Sequence, residues 1–80
     1  MTADLDYGHQ LVYHALLQVQ GEKPGRVFNA VQIGRRAPEL SDREIRRSLF
    51  WLERHNYVRR HRVPGRYKGT LSKTLYWSAD

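Results

Sequence analysis

Arg43, Arg46 and Arg47 stand within five positions of one another in the run Leu40–Val58, LSDREIRRSLFWLERHNYV. A guanidinium is planar, permanently charged and rich in donors, so it pairs in bidentate fashion with a phosphate or with the O6/N7 edge of guanine. Spacings of three and four residues put these groups on neighbouring positions of one helix. The chemistry they are suited to is capture of a polyanion, with Arg43 and Arg46 candidates for base or backbone contact and Arg47 nearer the phosphates. Two further groups could flank them. Arg66, Tyr67 and Lys68 lie between Gly65 and Gly69, and Arg35 and Arg36 precede the run; both are candidates for a phosphate clamp.

Catalysis finds no comparable group. The chain has no cysteine, no paired-carboxylate site, no P-loop and no serine with an evident base, so no enzyme, catalytic residue or cofactor is expected. His9 and His14 are five apart, on different faces of a helix rather than on the neighbouring positions a metal pair needs. No metal site and no small-molecule ligand is expected either.

The elements that must position the arginines are legible in turn. Ser41 and Glu44 form an S-x-x-E capping box, which starts a helix near Asp42. Ile45, Leu49 and Leu52 then recur at helical spacing, an apolar stripe with the arginines mostly off it. Arg54 and His55 suit the last turn, and Asn56 tolerates the left-handed conformation that ends a helix. The spacing predicts this helix over about 42–55. Leu5, Leu11, Val12, Ala15, Leu16 and Val19 predict a first helix over about 5–20, capped by Asp4 or Asp6 and ended by Gly21. GEKPG, residues 21–25, is a loop. Val27, Phe28, Val31 and Ile33 carry β-branched content that would also suit a strand, but the spacing of Phe28 and Val31 favours a second helix over about 27–36, and Ala37-Pro38-Glu39-Leu40 is the turn into the next. Tyr57–Val63 and Thr74–Ser78 read as two strands joined by a turn-rich segment, a hairpin over about 57–78, with Leu75 and Trp77 on its core face.

With Leu40, Ser41, Ile45, Leu49, Leu52, Asn56 and Val58 in place, the run L-S-x-x-x-[VI]-x-x-x-L-x-x-L-x-x-x-[GN]-[LY]-V resembles the recognition helix of winged helix-turn-helix DNA-binding domains of the GntR and MarR kind. Asn56 stands where that family usually has Gly. The resemblance covers nineteen residues and, beyond them, the order of elements. It implies an α+β fold, a winged helix-turn-helix of three helices followed by a two-stranded β-hairpin wing, spanning residues 1–80 as one domain. It implies double-stranded DNA binding by a small transcriptional regulator, with the recognition helix in the major groove, the wing on the flanking backbone, and a homodimer as the form that binds. The run E-I-x-R-x-L-F-x-L is also similar to the helix of Z-alpha domains, which bind left-handed nucleic acid. Arg46 and Phe50 replace the Asn and Tyr on which that motif relies, and the adjacent prolines of its wing are missing.

Phe50 and Trp51 fit the pattern least, because the family carries charged residues there. About 100° separates consecutive helical residues, so at least one of the two must lie toward the rim of the core. Trp51 is expected to pack under the first helix or the wing; the alternative makes Phe50 and Trp51 a dimer or partner interface. A protein-interaction module using that surface and the wing, or an RNA binder, are therefore the competing readings.

Charge favours a polyanion as partner. The net charge is +6. Residues 1–40 balance four basic against four acidic groups, whereas residues 41–80 hold ten basic against four acidic, so all of the excess lies in the recognition-helix half. No apolar run approaches the roughly 20 residues of a membrane span, and MTADLDYG does not read as a secretory leader. The expected location is cytoplasmic, nucleoid-associated in a prokaryote.

Overall fold

The computed structural model describes residues 6–65 and 73–79. Three helices precede a two-stranded antiparallel sheet: α1 (Tyr7–Glu22), α2 (Ala30–Gly34), α3 (Asp42–Arg54), β1 (Val58–Val63) and β2 (Lys73–Ser78). The class is α+β.

α3 forms as its ends dictate. Ser41 N–H donates to Glu44 Oε1 at 2.9 Å and Glu44 N–H donates to Ser41 Oγ at 3.2 Å, so two orphan donors of the first turn are satisfied reciprocally. The Ser41 backbone N–H, and then its hydroxyl, hold the Glu44 carboxyl below its ordinary range. At the other end Asn56 adopts φ 65°, its N–H donates to Glu53 O, and Tyr57 N–H donates to Leu52 O at 2.9 Å. These are the two bonds of a Schellman motif, which turn the chain directly into β1.

The core lies between α1 and α3 and is closed by α2 and the start of β1. Val12, Ala15, Leu16 and Val19 of α1 meet Ile45, Leu49 and Leu52 of α3, with Phe28, Ile33, Ala37 and Val58 completing the buried cluster. α1 begins at Tyr7 and continues through Gly21 to Glu22. It ends instead before Pro24 and Gly25, the latter at φ 80°, because Pro24 cannot continue the helical hydrogen bonding and Gly25 tolerates the reversal.

Two other boundaries differ from the spacing argument, for long-range reasons. Phe28 is not helical: its backbone forms a bridge with Tyr76, Phe28 N–H to Tyr76 O at 3.1 Å and Tyr76 N–H to Phe28 O at 2.7 Å. α2 consequently starts later, capped by Asn29, whose Oδ1 accepts from Gln32 N–H at 2.8 Å while Gln32 Oε1 accepts from Asn29 N–H at 2.9 Å. It ends at Gly34, and successive turns of three residues carry the chain through Ala37 to Leu40.

The strands pair Val58 with Ser78, Arg60 with Tyr76 and Arg62 with Thr74. The core side of β2 is Tyr76 and Ser78, not Leu75 and Trp77: Ser78 is buried, and Tyr76 packs against the cluster. Gln20 fixes this phase, since Ser78 N–H donates to Gln20 Oε1 at 2.6 Å and Gln20 Nε2 donates to Ser78 Oγ at 3.0 Å. A shift of one residue would put every β2 side chain on the other face.

The left-handed turn at Asn56 yields a direct test. Asn56→Ala should lose about 1 kcal/mol of stability, since an alanine Cβ is disfavoured at that φ, while Asn56→Gly should equal or slightly exceed the parent. Urea unfolding of the three proteins measures both; equal losses for Ala and Gly would mean that the Asn56 side chain, rather than its φ, sustains the turn.

Candidate nucleic-acid interface

Burial of Ile45, Ser48, Leu49 and Leu52 sets the rotation of α3. At 3.6 residues per turn, the positions opposite that face are 43, 47, 50 and 54, and Arg43, Arg47, Phe50 and Arg54 are all exposed. Arg46 is exposed beside them, on the side of α2 and the sheet. The helix therefore brings the three sequence-predicted arginines to one surface and adds Arg54. Two ion pairs engage other arginines, Arg36 with Glu22 and Arg60 with Glu53.

Two grooves flank this helix face, and Phe50 stands on the crest between them. The first, about 400 Å³, runs between α2, α3 and the sheet, with Ala30, Val31, Phe50 and Tyr76 as its apolar lining and Arg46, Glu53 and Arg60 among its polar groups. Arg60 Nε lies 3.3 Å from Glu53 Oε1, which compensates the charge of that carboxylate. Burial raises the Tyr76 hydroxyl above its ordinary pKa, against opposing effects from Arg60 and Arg46, so the phenol stays neutral. The second groove, about 530 Å³, lies toward α1 and includes His9, Arg47, Trp51, Arg54 and His55.

Consecutive aromatics have opposite fates. Trp51 is half-buried and stacks with two imidazoles, His9 at 4.7 Å and His55 at 3.9 Å between ring centroids. Tyr57 stacks farther out at 6.0 Å and meets the edge of Tyr13 at 5.6 Å. His9 Nδ1 lies at hydrogen-bond distance from Ser48 Oγ, 2.8 Å, and its Nε2 stands 3.8 Å from the exposed Asp6 carboxylate. Trp51 thus packs under α1. Phe50 is 54% exposed, with the Arg54 guanidinium 5.6 Å from its ring centroid.

The other candidates are placed differently. Arg36 is held by both oxygens of Glu22, Nη1 donating to Oε2 at 2.7 Å and Nη2 to Oε1. With Arg35 it lines a separate cleft beside the end of α1, away from the two grooves around Phe50. Arg66, Tyr67 and Lys68 lie outside the described residues. Reasoning from the sequence overlooked Arg60, which shares the sheet face of Tyr76, and Val31, which lines the first groove while 53% exposed; the alternation of β1 could have singled out Arg60 once its register was known.

No protein-family model matches this chain, and searches of curated proteins and of solved structures returned no match. No helix among the described residues is long and apolar enough to cross a membrane.

The different environments of the two aromatics predict different costs of truncation. Trp51→Ala should destabilise by about 2–4 kcal/mol, the range of losing a packed aromatic less some relief for its partial exposure. Phe50→Ala should cost less than about 1 kcal/mol, since it forfeits only an exposed cation–π contact. Chemical unfolding of both variants decides the matter, and comparable losses would contradict the assignment of Trp51 alone to the packed interior.

Proposed function

We propose that this chain is a winged-helix domain that binds double-stranded DNA, acting as a small transcriptional regulator. α3 enters the major groove, and the β1–β2 hairpin lies along the flanking backbone. The observation that carries the reading is the outward face of α3, where Arg43, Arg46, Arg47 and Arg54 are exposed together, while Glu22 and Glu53 engage Arg36 and Arg60. Four exposed guanidiniums on one helix meet the needs of duplex recognition: charge for phosphates and planar bidentate donors for guanine edges.

The order of elements supports the same mode. A helix anchored by its apolar stripe to α1 and followed at once by a hairpin presents a convex cationic ridge with a sheet beside it, and a helix of this diameter fits the major groove. Arg43 and Arg46 reach base edges or the adjoining backbone, and Arg47 serves the phosphates. Arg60 and Arg62, on the sheet face shared with Tyr76, extend positive charge from α3 along β1. Binding as a homodimer would place two such helices on successive turns of the duplex.

Selection from a random duplex library at two ionic strengths tests this reading. Affinity should fall as salt rises with a logarithmic slope near −0.9 per phosphate neutralised, and a palindromic enriched motif would add the dimer. Replacing Arg43 and Arg46 together by Ala should weaken binding at least about tenfold, on the scale of losing one or two bidentate contacts, with the thermal midpoint nearly unchanged. Absence of binding to any duplex, together with concentration-dependent self-association, would replace this reading with the protein-interaction one.

A further inference from the structure

Phe50 occupies a position that arginine chemistry does not explain. It contributes to no buried cluster, since the packing role falls to its neighbour Trp51. It is more than half exposed at the centre of the cationic stripe, with Arg43 and Arg47 on one side along the helix and Arg54 on the other. Across the groove stands Val31, equally exposed, with Ala30 and Tyr76 extending the apolar lining. An apolar surface of this kind, set among arginines, is unsuited to a phosphate and costs unmade hydrogen bonds if pressed against a polar base edge.

The major-groove edges of the four bases present donors and acceptors, with one apolar exception, the 5-methyl group of thymine. A 5-methylcytosine presents the same group at the same ring position. We infer that Phe50 and Val31 form a receptor for the 5-methyl group of a pyrimidine in the major groove. The bound site then combines guanines or phosphates met by Arg43, Arg46 and Arg47 with a methylated pyrimidine opposite Phe50. This inference rests on the DNA-binding reading and adds a specificity-determining residue to it.

Its test removes the methyl group and nothing else. The duplex pool selected by the parent chain is resynthesised with thymidine, with deoxyuridine in its place, and with a cytosine–guanine pair, methylated or unmethylated at cytosine carbon 5, at the thymidine positions whose methyl loss weakens binding. The parent chain should bind the deoxyuridine form about fourfold more weakly per contacted methyl, the fold-change of burying one such group. Phe50→Ala should bind the thymidine and deoxyuridine forms equally, with its fold checked by circular dichroism. Tighter binding of the methylated than of the unmethylated cytosine form extends the receptor to 5-methylcytosine, and equal binding of the two restricts it to thymine. Equal binding of the parent to thymidine and deoxyuridine duplexes overturns the inference while leaving DNA binding intact; no binding to any of these duplexes removes the DNA reading itself. Loss of a self-association by Phe50→Ala, with its preference for thymidine retained, would assign Phe50 to a protein contact instead.

Discussion

Burying Ile45, Leu49 and Leu52 against α1 constrains every other feature of the surface. A helix has no freedom to rotate once three of its side chains are fixed in a core, and 3.6 residues per turn then carries positions 43, 47, 50 and 54 outward together. The apolar stripe and the cationic ridge are consequences of one rotation. In a domain this short the core is small, so the few buried side chains of α3 must anchor the helix and orient its outer face at once.

The ends of α3 transmit that orientation to the rest of the chain. At the start, the Ser41/Glu44 box leaves the preceding turn free to run through successive three-residue hydrogen bonds from α2. At the finish, the bonds of Asn56 and Tyr57 back to Glu53 and Leu52 send β1 off with Val58 already buried. β2 is then held on both sides: β1 pairs along one edge and Phe28 bridges on the other, while Gln20 of α1 grips Ser78. The hairpin base is therefore locked to all three helices, whereas β1 beyond Val58 is exposed on both faces.

A short core is also enlarged at its rim by rings that tolerate partial exposure. The His9–Trp51–His55 stack and the Tyr57–Tyr13 contact extend the α1–α3 junction outward, combining apolar area with polar tips that reach Ser48 and Asp6. His9 is thereby a packing residue with a hydrogen-bond partner. The same helix leaves Phe50 outside this arrangement, and that contrast between adjacent aromatics is what separates a structural ring from one available to a ligand.

The sequence by itself determined α3 with both its ends, the two strands of the hairpin, the turn before α3 and the segregation of positive charge into the second half. Each depends on interactions within about one helical turn or on alternation along a strand, which the order of residues encodes directly. The start of α2 was only half legible: Asn29 and Gln32 carry the spacing of a cap, but the reason Phe28 stays extended is its pairing with Tyr76, at the far end of the chain. Only the tertiary structure decided which face of β2 meets the core, that Gln20 and Ser78 join across 58 positions and His9 and Ser48 across 39, that Glu22 engages Arg36, and that Trp51 packs while Phe50 does not. Contacts of that separation follow from how helices and strands meet in space, and a period of two or 3.6 fixes the spacing of a face without fixing which way it turns.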